Sequence, residues 1–126
     1  MEAKLLNPSV LSFVGDAVYG LLVREKLSAV NRPSGQLHTL SVKLVNAVSQ
    51  ARAYTIIEQD LTEEEIAIFK RGRNFHTGNT PKNATKGEYH TATGLETLFG
   101  FLHLSGEEKR ITELFNKIWE NFSQEL

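Results

Sequence analysis

Two carboxylates stand where carboxylates are costly. Asp16 lies in "LSFVGDAVYGL" (residues 11–21) and Glu96 in "TGLETLFGFL" (residues 93–102), both stretches being apolar on nearly every side. A carboxylate in such surroundings costs several kcal/mol unless a cation or hydrogen-bond donors meet it. Each acid has a glycine four residues on, Gly20 and Gly100, and Asp16 has Ser12 four residues before it. At that spacing the pairs share one helical face. A glycine there costs about 1 kcal/mol relative to alanine and lets another backbone or a ligand approach. If the two stretches pack side by side, the acids face each other across a small gap, and one stays protonated unless a cation is present. Mg²⁺ suits such a gap, since it takes one or two carboxylates, keeps several waters and accepts phosphate oxygens. The chemistry available there is phosphodiester hydrolysis by a metal-acidified water. The alternative is structural, with Asp16 partly exposed and Glu96 paired to Arg52 or Arg24.

A second feature is the placement of charge. The 126-residue chain carries a net charge of −1, yet Lys70, Arg71, Arg73, Lys82 and Lys86 fall within residues 70–90 against Glu88 alone. Positive charge gathered in one short segment of a slightly acidic chain points to a local anion site. Arg71, Arg73, Lys82 and Lys86 supply charge, and Asn74, Thr77, Asn79, Thr80, Asn83 and Thr85 supply hydrogen-bonding groups. Duplex RNA offers phosphates and 2′-hydroxyls across its wide minor groove, within reach of a protruding loop. Backbone N–H groups near Gly72 and Gly78 add to this set, and an ordinary solvated loop is the rival reading. His38, His76, His90 and His103 show no zinc-like spacing, although His76 falls in the same loop. Ser9, Ser12 and Ser34 have no His/Asp pattern around them.

The elements that must position these groups read as helices. Asn7-Pro8 is a helix start, with Asn7 as cap and Pro8 in the first turn. The helix it opens runs to about Leu27 and, being apolar nearly all round, is expected to be central and covered. After the break "NRPSGQ", Leu37, Leu40, Leu44, Val45 and Val48 predict a helix from about Ser34 toward Glu58. Thr62 with Glu65 is a capping-box pattern opening a short helix to about Arg71. Residues 72–88 hold three glycines and a proline without apolar period, the mark of a long loop. Helical pattern returns in "YHTATGLETLFGFLHL". Ser105 with Glu108 predicts another cap, before an amphipathic helix whose apolar face includes Trp119 and Phe122. No segment alternates as a strand, so the expected class is all-α, a single domain over residues 1–126.

Composition narrows the setting. With 40% hydrophobic and 23% charged residues the chain is a globular one. It has no cysteine, which excludes a disulfide framework and thiolate chemistry and fits a reducing compartment. The longest apolar run is interrupted by Asp16, Arg24, Glu25 and Lys26, short of a membrane span. "MEAKLLNPSV" lacks the marks of a signal peptide, so a cytoplasmic protein is expected.

Several motifs together carry a resemblance. "SFVGDAVYG" resembles the signature helix of the ribonuclease III family, and "TGLETLFGFL" its second acidic helix. "LHTLSVKLVNAVSQA", "LTEEEIAIFKRGRN" and "TPKN" follow the order seen in the Mini-III subfamily, which consists of the catalytic domain alone. The resemblance spans roughly residues 7–122. It implies that Asp16 and Glu96 are catalytic, hold Mg²⁺ and cut double-stranded RNA, leaving 5′-phosphate and 3′-hydroxyl ends. It implies a homodimer with Phe13 near the partner subunit, no separate double-stranded-RNA-binding domain, and precursor large-subunit ribosomal RNA as substrate. Ribonuclease III enzymes generally carry a Glu four residues before the Asp, where this chain has Ser12, and an Asp three residues before the Glu, where it has Thr93. That thinning keeps one rival open, a non-catalytic RNA-binding or ribosome-associated module of the same fold, and a helical protein-interaction domain with no RNA role is a third possibility.

Overall fold

A computed structural model describes residues 2–75 and 80–126, and among them there are helices and no strand. Six α-helices follow in order: α1 (Pro8–Leu27), α2 (Ser34–Val45), α3 (Ala47–Ile57), α4 (Glu63–Arg73), α5 (Lys86–Leu104) and α6 (Glu108–Phe122). The all-α class expected from the sequence is the class observed.

Local chemistry sets most of the boundaries. The Asn7 side chain accepts from the Ser9 N–H at 3.0 Å and Pro8 takes the first turn of α1, as anticipated. Asn31, at a left-handed φ of 52°, ends the turn after α1. Thr62 and Glu65 form the full capping box of α4. A second box, Thr85 with Glu88, opens α5 and was not singled out by pattern.

Helix α4 runs on to Arg73 and α5 starts at Lys86, so the expected 72–88 loop is shortened at both ends. Two further boundaries differ from the sequence expectation. The run from Ser34 is two helices, because Asn46 turns extended and caps α3 by accepting from Ser49 N–H at 2.8 Å. Ser105 does not cap α6. It ends α5, and Gly106 (φ 75°) reverses the chain, with the Gly106 N–H donating to His103 O and the Glu107 N–H to Leu102 O. That is the Schellman ending, which needs a left-handed residue at Gly106.

The centre of the molecule is α5, not α1. From Ala92 to Leu102 every residue of α5 except Glu96 is buried, enclosed by α1, α3 and α4. Helix α1 buries one stripe, Leu11, Gly15, Tyr19, Gly20, Val23 and Leu27. Its opposite face is uncovered, with Phe13 80%, Leu21 58% and Val10 44% exposed. The expectation of a fully covered α1 is therefore corrected: its second apolar face has no cover among the described residues. Tyr19 is wedged between Phe99 and Phe115, edge-on to both at 5.6 Å. The apolar face of α6 packs inward through Ile111, Leu114, Phe115, Ile118 and Phe122, with Trp119 half-buried. Among the described residues no helix is long and apolar enough to cross a membrane.

Candidate active site

Helices α1 and α5 cross at a point where neither tolerates a side chain. A Cβ on Gly15 would run into the backbone carbonyl of Glu96, and a Cβ on Gly100 into the carbonyl of Leu11. The two backbones thus touch, and the contact brings together Asp16, the residue after Gly15, and Glu96, whose carbonyl Gly15 meets and which lies four residues before Gly100. The Gly20 that spacing had singled out is not part of the crossing, since a Cβ there meets only the mobile end of Arg24.

The acids share an open cleft of about 320 Å³, lined also by Ser9, Ser12, Phe13, Phe75, Tyr89 and Thr93. Asp16 is exposed and Glu96 half-buried. The premise that Asp16 is entombed among apolar neighbours is therefore corrected, while Glu96 does bear the cost. Its carboxyl is pushed up to about 8, first by burial, then by the Asp16 charge and a hydrogen bond with Asp16, against a smaller opposing effect of Gln50. Neither Arg24 nor Arg52 neutralises Glu96. Arg52 pairs with Glu125 at 2.7 Å and lies over the Phe122 ring. The donor on Glu96 is the Gln50 amide, at 3.3 Å.

This arrangement suits a hard divalent cation. Two carboxylates that must otherwise hold a proton between them can exchange that proton for a metal. Ser12 and Thr93 add hydroxyl oxygens to the same cleft, although both already donate to their own helices, to Ser9 O and Tyr89 O. Among the described residues no third His, Asp or Glu joins the pair. A site of this kind leaves most coordination positions to water and phosphate, as Mg²⁺ prefers.

Two residues of the basic segment, Phe75 and Tyr89, line this cleft. Lys82, Asn83 and Lys86 are exposed, Lys86 being the first residue of α5, and Asn74 and Thr80 are exposed as well. Arg73 is half-buried, with its Nε donating to Asn74 Oδ1 and its guanidinium over the Phe69 ring. Arg71 is committed elsewhere, because its guanidinium donates to Lys4 O at 2.7 Å and Leu6 O at 2.6 Å and so ties down the N-terminal turn. His76, Thr77, Gly78 and Asn79 lie outside the described residues.

Gln50 escaped the sequence reading. Its signal was present: it falls on the spacing of Ala53, Tyr54 and Ile57, the buried face of α3, as the polar member of an apolar stripe.

Comparison with known proteins places the chain. Residues 9–107 match the ribonuclease III domain family. The chain is 37% identical over 128 residues to the Mini-ribonuclease 3 of Clostridium tetani, covering 98% of this chain and 85% of that one. It is 44% identical over 110 residues to the Mini-ribonuclease 3 of a Thermoanaerobacter species, covering 86% and 78%. A crystal structure of a Fusobacterium nucleatum protein superposes with a TM-score of 0.82 at 32% identity, over 87% of this chain and 90% of that one.

Proposed function

The chain belongs to the ribonuclease III family and is an endoribonuclease, and we propose that it is a Mg²⁺-dependent one, acting as a homodimer on precursor large-subunit ribosomal RNA in the cytoplasm. The observation that carries this reading is the Asp16–Glu96 pair, two facing carboxylates with one proton too many for neutral pH and a basic segment rising from the rim of their cleft. Asp16 and Glu96 are the catalytic residues and hold the cation, Glu96 giving up its proton to do so. Bound there, Mg²⁺ supplies a water acidified toward neutrality and neutralises charge on the scissile phosphate. Lys82, Lys86 and Arg73, with Asn74, Thr80 and Asn83, dock the phosphates and 2′-hydroxyls of the duplex. Arg71 serves through the segment it anchors.

The dimer is supported by the uncovered face of α1. Val10, Phe13 and Leu21 share that helix with Asp16, so a second copy seated there holds two acidic clefts in one two-fold assembly. Two clefts are what a duplex with two strands requires. The whole of residues 1–126 forms the one catalytic domain in this reading.

The test is cleavage of a long RNA duplex with Mg²⁺ and with chelator. We expect cutting with Mg²⁺ only, new 5′-phosphate ends, and RNA affinity that falls steeply with salt. Cleavage in chelator equal to that in Mg²⁺ would contradict the metal assignment.

A further inference from the structure

Gln50 is 2% exposed, on the face of α3 that otherwise buries apolar side chains. Its amide nitrogen donates twice, to Val45 O at 3.0 Å and to Glu96 Oε2 at 3.3 Å. Its amide oxygen is buried with no partner among the described residues. Turning the amide over would set that oxygen against two acceptors, so both partners fix its orientation. A side chain kept only to fill space would be apolar and would strand no acceptor. What Gln50 contributes is therefore its donor.

The donor stands on a rigid base. At the α2–α3 corner the Gln50 N–H donates to Asn46 O at 2.9 Å. The Asn46 amide donates back to Lys43 O at 3.2 Å and accepts from Ser49 N–H. The corner, not the flexible Glu96 side chain, thus sets where the amide lies.

We propose that Gln50 is a positioning residue of the acidic site: braced on Val45 O, it holds one oxygen of Glu96 and keeps that carboxylate beside Asp16, in the arrangement that takes the divalent cation. The inference rests on the reading of Asp16 and Glu96 as the metal-holding pair.

The experiment is calorimetric titration of Mg²⁺ into the full chain without RNA, for the unmodified protein, Gln50→Met, Glu96→Gln and the double variant. Methionine conserves volume and removes the donor. We expect Gln50→Met to lose about tenfold or more in Mg²⁺ affinity with no fall in the melting temperature of the metal-free protein. On the Glu96→Gln background it should produce no further loss. In cleavage kinetics kcat should drop while KM for RNA holds. Unchanged Mg²⁺ affinity in Gln50→Met, with affinity lost in Glu96→Gln, would overturn the inference and leave the acidic pair standing. No Mg²⁺ binding by the unmodified protein would overturn both. Should Gln50→Met not fold, the side-chain amide resonance of Gln50 in the unmodified protein decides. A shift on Mg²⁺ titration supports the role, and silence contradicts it.

Discussion

Glu96 is where the molecule stores a cost. An unfolded chain ionises this carboxyl near its ordinary 4.5, whereas the folded one holds it protonated up to about 8. Between those values the native state keeps a proton that the unfolded state has lost, so metal-free stability falls as pH rises through the window. In chelator, the melting temperature of the unmodified protein should therefore drop by several degrees relative to Glu96→Gln between about pH 5 and about pH 8. Mg²⁺ added at the upper end should restore it, because a ligand that binds only the native state stabilises it. Parallel pH curves for the two proteins would contradict the assignment. Pattern alone brought Asp16 and Glu96 together, since acids in apolar stretches are few. It overstated the burial of Asp16, because a one-dimensional string does not say whether an apolar face is covered by the same chain. It missed Gln50, whose meaning lies in a contact 46 residues away.

The elements show which signals are local. The caps at Asn7 and at Thr62–Glu65 were legible because residue types three or fewer apart decide them. The break at Asn46 was not, because Leu44, Val45 and Val48 keep an apolar rhythm across it. Ser105–Glu108 matched a capping pattern, yet Gly106 gave the turn to the end of α5 instead. The glycines of α1 and α5 have unequal weight, which only the crossing reveals. Gly15→Ala or Gly100→Ala sets a methyl against backbone that has nowhere to go, and each should cost about 3 kcal/mol or more. Gly20→Ala meets one movable guanidinium and should be neutral or gain up to about 1 kcal/mol of helix propensity. Urea titration of the three variants checks this, and equal costs at all three positions would contradict the crossing.

At the scale of the whole molecule, the uncovered face of α1 and the basic segment flank the same acidic cleft, and the proposed assembly follows from their adjacency. Phe13, 80% exposed, is the largest apolar group on that face. A charge there cannot be buried against a second copy without a partner. Phe13→Glu should therefore shift the protein from dimer to monomer in analytical ultracentrifugation at micromolar concentration, with helical content kept and duplex cleavage falling. An unmodified protein that sediments as a monomer would remove the two-fold arrangement, and with it the account of how both strands are cut.

The central claim is that Asp16 and Glu96 form the catalytic centre. It is tested most directly by the cleavage rate of a long RNA duplex at saturating Mg²⁺ for the unmodified protein and Asp16→Asn, with RNA affinity and melting temperature measured alongside. Asp16 is exposed, so its amide variant should fold and bind the duplex as before. Its cleavage should fall by about a hundredfold or more. Cleavage within a few-fold of the unmodified protein, by a variant equally folded and equally bound, would contradict the account.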